Sequence, residues 1–187
     1  MLSQAENGEL TDWPWDKTNT TNGKKALVEN YILPYFNVVK NCKLNANEGC
    51  FQSGSVQYLK TGDWSNVDAG TDYYKFTTAD GMSWGVWYYN SSSCVTNKKF
   101  CAAIVVDING KKPPYTAGMD VFRFELYPIT NEVMPNGVYD SSAAYDEAKK
   151  EYTRRTQSEI DSNCSKTGYG LYCAAKVVAE GFKINYL

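Results

Sequence analysis

The spacing of apolar positions changes twice along the chain. From Lys24 to about Leu33, the residues Leu27, Val28, Tyr31 and Ile32 recur at helical spacing, and Tyr35 and Phe36 continue the stripe. This predicts a core-facing helix over 24–33, stopped by Pro34, which cannot donate an interior hydrogen bond. One further turn is expected over 35–40. The preceding segment, 1–23, contains Trp13-Pro14-Trp15 and Asn22-Gly23 and reads as a polar, turn-rich loop.

The texture then becomes strand-like. Ser55 to Leu59 alternates, Tyr73 to Thr78 is aromatic and β-branched, and Met82 to Tyr89, Cys101 to Ile108 and Asp120 to Tyr127 follow. Asp80-Gly81 between two such runs predicts a hairpin with a type I′ turn. Asn109-Gly110-Lys111-Lys112-Pro113-Pro114 is a turn that cannot continue a ladder. Beyond Met134-Pro135-Asn136-Gly137 the texture turns helical again. Ser142 to about Ile160 is rich in Ala, Glu, Lys and Arg, with Asp146/Lys150 and Glu151/Arg155 four apart. Its apolar stripe of Ala144, Ala148 and Tyr152 is thin, so a solvated surface helix over 142–160 is expected. The alternation of Phe182, Ile184 and Tyr186 within Ala174 to Leu187 predicts a closing strand. No repeat or low-complexity segment interrupts the 187 residues, which fit one domain, 1–187.

Composition narrows the chemistry. Six cysteines fall into three close pairs, Cys42/Cys50, Cys94/Cys101 and Cys164/Cys173, and the chain has no histidine. Close, even-numbered cysteines read as a local disulfide framework, which persists in an oxidising compartment. Pairing by proximity is one of 15 connectivities. A zinc site would show CxxC-type spacing, which is absent. Lacking histidine, the chain lacks the commonest general base, the Ser-His and Cys-His nucleophile pairs and the usual catalytic zinc ligand, so it reads as non-catalytic. A net charge of −2 without a basic stripe excludes nucleic acid as an expected partner. The chain opens on polar residues rather than a signal peptide, and no apolar run reaches the roughly 20 residues of a spanning helix. With exported cysteine chemistry, it is expected to be the soluble part of a longer precursor.

Two further signals concern binding. The 15 tyrosines, 5 tryptophans and 7 phenylalanines suit subunit contacts or sugar-binding faces. Trp84 and Trp87 differ by an odd number and face opposite sides of a regular strand. Asp107-Ile108-Asn109-Gly110 followed by Asp120 resembles the start of a calcium loop, making Asp107, Asn109 and Asp120 weak ligand candidates. Lys111, Lys112 and the missing closing glutamate favour instead a turn in which Asp107 bonds backbone amides. Asp12, Asp16, Asp63, Asp68 and Asp72 are candidates for the carboxylate pair that glycoside hydrolysis needs, although most surface aspartates are merely solvated.

The stretch from Val106-Asp107-Ile108-Asn109-Gly110-Lys111-Lys112-Pro113 to Gly118-Met119-Asp120-Val121-Phe122-Arg123-Phe124 resembles the globular part of type IV pilin-like proteins. So does the terminal Cys173-Ala174-Ala175-Lys176 with Glu180-Gly181-Phe182-Lys183-Ile184-Asn185-Tyr186. The group includes pseudopilins of type II secretion and prepilin-like proteins of gut bacteria. The resemblance implies an α+β fold with an N-terminal helix packed on an antiparallel sheet, 142–160 being a helical insertion. It implies a structural subunit of a pilus or pseudopilus-like fibre at the cell surface or in the periplasm of a bacterium. Other subunits would be the partners, together with the inner membrane, reached through an anchor helix absent from this chain; Met1-Leu2-Ser3-Gln4-Ala5 looks like the tail of that helix. No cofactor is implied, calcium being the weak exception. Tyr73-Tyr74 and Trp84 to Tyr89 are then expected as subunit or ligand contacts. The alternative reading is a secreted glycan-binding or adhesion module using Trp64, Trp84 and Trp87.

Overall fold

A computed structural model of the chain describes residues 8–89 and 94–186. The expected helix tail at Met1–Ala5 lies outside these residues. The fold is α+β: the described residues form a six-stranded antiparallel sheet, a two-stranded ribbon and three short α-helices. The sheet is a meander, β4 (Tyr73–Thr78), β5 (Ser83–Tyr88), β6 (Ala102–Asp107), β7 (Val121–Tyr127) and β8 (Glu132–Pro135), with β1 (Val38–Lys43) added beside β4. The ribbon pairs β2 (Val56–Gln57) with β3 (Asp63–Ser65). No described helix is long and apolar enough to cross a membrane.

Both faces of the sheet are covered, which is why β6 is buried at every position instead of alternating. On one face, Leu27 and Val28 of α1 (Thr21–Tyr31), with Ile32, share a cluster with Tyr74, Phe76, Val86, Ile104 and Leu126. The side chain of Thr20 caps α1 by accepting from the Gly23 amide at 3.0 Å. Farther along this face, α3 (Cys173–Ala179) sets Ala174 against Val106 and Phe122. Among the described residues no helix packs on the other face. There the loop around Phe51, Val67 and Tyr115 packs on Val105 and Val121, and Tyr139 and Tyr152 pack on Phe100, Ala103 and Tyr127.

Several expectations need correction. Trp13 and Trp15 are 4% and 2% exposed and belong to the core, so 1–23 is not simply polar loop. The expected extra turn over 35–40 is a short 3-10 turn at Leu33–Tyr35 followed by β1. The hairpin at Asp80-Gly81 forms, but only Gly81 has positive φ, so the connection is three residues closing on a left-handed glycine and not type I′.

The surface helix over 142–160 is absent. Asp146 pairs back with Glu151 across a tight reversal in which the Ala148 and Lys149 amides donate to Asp146 Oδ1. Such side-chain capture of local amides competes with helical bonding, and the thin alanine stripe offers little burial in return. Tyr152, 1% exposed, goes into an aromatic cluster with Tyr127, Tyr139 and Tyr145. Helix resumes only at α2 (Gln157–Asn163), with a Thr156/Glu159 capping box. The closing strand is also absent: Ala174 to Ala179 lies in α3, and Phe182 is 78% exposed.

One glycine fixes how two turns meet. Gly110 has φ +68°, and a Cβ there would lie 2.4 Å from the Gly81 carbonyl oxygen. Gly110→Ala is expected to cost more than about 2 kcal/mol in urea unfolding, combining the left-handed penalty of about 1–2 kcal/mol with this clash. Gly81→Ala, with φ +89° and open space around it, measures the conformational part alone. Equal losses from the two would show that the turns do not press on each other.

Candidate functional site

The register of the sheet builds a groove on its helix-free face. Tyr73 opposes Trp87, and Trp87 opposes Ala103; in the next row Lys75, Gly85, Val105 and Arg123 are aligned. The small Ala103 lines the groove beside Trp87. Gly85 makes room for Phe51, whose ring a Cβ would meet at 3.4 Å. Trp64 and Ser65 of β3 close the opposite wall. The resulting cavity is about 250 Å³, lined by Trp64, Ser65, Tyr73, Trp87, Ala103, Val105 and Arg123.

Its charge is held from beneath. Arg123 Nη2 donates to Glu125 Oε1 at 2.8 Å, and the Tyr127 hydroxyl donates to Glu125 Oε2 at 2.7 Å. Glu125 is 1% exposed, and burial raises its carboxyl pKa above the ordinary value, against the pull of Arg123 and Tyr127. The guanidinium lies 5.8 Å from the Trp87 ring centre and 5.4 Å from that of Phe100. Its Nε–H is buried without a partner. At the rim, the Ser65 and Tyr73 hydroxyls are 3.4 Å apart.

Of the aromatic candidates, Trp64 and Trp87 therefore meet in one place, and Tyr73 joins them. Tyr74 and Trp84 do not. Tyr74 is fully buried, its hydroxyl bonded to Glu29 and Asn41; it is a core residue and not a contact. Trp84 lies on the opposite face, packed on Phe36 and Phe76, with its indole donating to Thr78 Oγ1 at 3.0 Å. Trp84 and Trp87 do face opposite sides, and each is half-buried because both sides are covered. Arg123 and Glu125 are not among the site residues the sequence points to. Their one local signal was a charged pair two apart, hence on one face, in an otherwise apolar strand.

The cysteines pair as their proximity suggested: Cys42–Cys50, Cys94–Cys101 and Cys164–Cys173. Three disulfides point to an extracellular or periplasmic setting.

Asp107, Asn109 and Asp120 are brought together as a hydrogen-bonded turn. Asp120 accepts from the Thr116 amide (2.6 Å), the Tyr115 amide (2.8 Å) and Asn109 Nδ2 (3.1 Å), and Asp107 Oδ1 accepts from the Asn109 amide (3.2 Å). Among the described residues no group of three or more His, Cys, Asp or Glu gathers to hold a metal. Asp68 is buried and accepts from the Gly49 and Phe51 amides. Asp12, Asp16, Asp63 and Asp72 are exposed.

Asp107 carries a pH signature. It is fully buried, and its Oδ2 has no partner. Burial first, and the Asp120 carboxylate second, push its carboxyl pKa up to about 7. The folded state thus keeps a proton that the unfolded chain releases above 3.8, so this contribution to stability is complete in acid and lost as pH rises toward 7. Asp107→Asn is expected to stabilise the protein by about 1–3 kcal/mol at neutral pH and to flatten the slope between mild acid and neutrality. Denaturation midpoints across that range test this; a variant less stable than wild type at neutral pH would show that the ionised carboxylate is needed.

Comparison of the chain with protein-family models, with curated proteins and with solved structures finds no match in any of the three.

Proposed function

We propose that this chain is the globular domain of a structural subunit in a type IV pilus or type II secretion pseudopilus-like fibre, working by assembly and display without a chemical step. The reading rests on the resemblance, and one observation supports it. The two stretches that carry the resemblance, far apart in sequence, form a single unit in space. A Cβ on Gly118 would lie 2.6 Å from Cys173 Sγ, Tyr186 donates its hydroxyl to the Gly118 carbonyl, and Ala174 packs on Val106 and Phe122. On the same sheet face α1 contributes Leu27 and Val28, which suits a pilin-like helix-on-sheet arrangement. In this reading the native precursor is anchored in the inner membrane by a helix preceding the domain.

The test is the intact mass and N-terminal sequence of the protein isolated from its own cell membranes. A methylated N-terminus leading into an apolar helix is the expected result. A terminus left by ordinary signal-peptide cleavage, with no such helix, would overturn the fibre reading in favour of a secreted binding module. That second reading has its own support in the convergence of Trp64 and Trp87.

A further inference from the structure

We propose that the groove of Trp64, Tyr73, Trp87 and Arg123 is a saccharide site that holds one pyranose ring, stacked on the indoles and accepting hydrogen bonds from the Arg123 guanidinium. The inference rests on the groove itself and applies to a fibre-borne or a secreted domain alike. The cavity, about 250 Å³, falls just below the roughly 300 Å³ at which drug-sized pockets begin. It suits one ring with its substituents rather than a chain of them.

The lining chemistry selects the class. Three aromatic side chains line the groove, together with a hydroxyl pair and a guanidinium. A wholly apolar ligand would strip water from these polar groups and return no hydrogen bonds. A nucleotide would stack, but its phosphates would meet a single cation already paired with Glu125. A pyranose has what the groove lacks on both counts: a C–H face for the rings and oxygens for the donors. Arg123 can serve because it has five N–H groups, and the Glu125 bond fixes its position while using one. Trp87 is likewise packed against Tyr89 and Phe100, at centroid distances of 6.0 and 6.4 Å. A site held this way is ordered before the ligand arrives, which lowers the cost of binding. The oxygen that Arg123 meets is either a ring hydroxyl or a sugar carboxylate, since the Arg123–Glu125 pair is neutral overall.

The tryptophans make the test specific. The full chain, labelled with nitrogen-15, is titrated to millimolar levels with methyl glucoside, methyl galactoside, methyl mannoside, N-acetylglucosamine, glucuronate and N-acetylneuraminate. Saturable shifts of the Trp64 and Trp87 indole N–H signals are expected with at least one sugar. The indoles of Trp15, bonded to the Leu10 carbonyl, and of Trp84, bonded to Thr78, should stay in place. Preference for the acidic sugars assigns the accepting oxygen to a carboxylate, and preference for neutral ones assigns it to a hydroxyl; both support the site. Trp64→Ala should weaken binding at least tenfold while leaving the other indole signals unchanged, which also reports that the variant folds. No shift with any of the six sugars, equal shifts at all indoles, or full affinity in Trp64→Ala would overturn the proposal. Shifts confined to another surface would overturn this site while leaving the glycan-binding module standing. None of these outcomes bears on the fibre reading, which the native N-terminus decides.

Discussion

Reduction of the three disulfides is expected to lower stability by about 7 kcal/mol, a large fraction of what holds a domain of this size folded. The loops they close span 8, 7 and 9 residues, and loops of that length are each worth about 2.5 kcal/mol on the chain-entropy account. A domain of this size has about 5–15 kcal/mol in all. All six cysteines are buried, at 0–2% exposure, and two of the bridges fasten elements that bury little else. Edge strand β1 buries only Cys42. Helix α2 buries no residue of its own and is tied to α3 by the Cys164–Cys173 bridge and by Lys176, whose Nζ donates to Asp161 Oδ1 at 2.6 Å. Cys94–Cys101 closes the connection between β5 and β6. Urea unfolding with and without reductant measures the sum, and paired Cys→Ala variants give each bridge separately. A midpoint unchanged after complete reduction, verified by thiol count, would show that these loops are held by packing alone. The same experiment bears on location, because a domain this dependent on its bridges would be unstable in a reducing cytosol.

What was legible in the sequence follows from where each signal is generated. Strands β4 to β7 were found nearly to the residue, because aromatic and β-branched runs between glycine turns reflect local burial. Strand β1 was missed for the opposite reason: at the sheet edge, Val38 to Lys43 is mostly exposed and shows no alternation. Strand β8 ends on Pro135, which only an edge tolerates. The segment 142–160 misled because charges four apart suit a helix, but here Asp146 captures local amides and Tyr152 is drawn into the aromatic cluster. The groove was half legible. Its tryptophans stand out by type, yet Trp87 is aligned with Arg123 only through the pairing of β5, β6 and β7, and Trp64 comes from the separate ribbon, relations that no local window contains.

Replacing Arg123 by methionine is expected to cost about 3 kcal/mol at neutral pH, because it strands Glu125 as an uncompensated buried carboxylate. This lies at the low end of the range for broken buried pairs, since the Arg123 side chain is 20% exposed while that of Glu125 is 1%. The sign of the pH dependence separates this cause from simple loss of packing. Burial already raises the Glu125 pKa above its ordinary 4.5, and Arg123 is the largest influence pulling it back. Without Arg123 the folded-state pKa climbs further, so the folded variant holds a proton that the unfolded chain releases. Its stability should then fall as pH rises above the ordinary carboxyl range, and the deficit against wild type should shrink in acid, where both states are protonated. Adding Glu125→Gln should recover most of the neutral-pH loss by removing the charge and keeping the shape. Urea unfolding of wild type, single and double variants at acid and neutral pH provides the comparison. A deficit of equal size at both, untouched by Glu125→Gln, would mean that Arg123 acts through its packing on Trp87 and Phe100 instead. If the charge accounts for the loss, the groove's one cation is held in place by a pairing the fold itself requires. Arg123 is then fixed for the sake of stability, and any ligand that uses its remaining donors meets a guanidinium already in position.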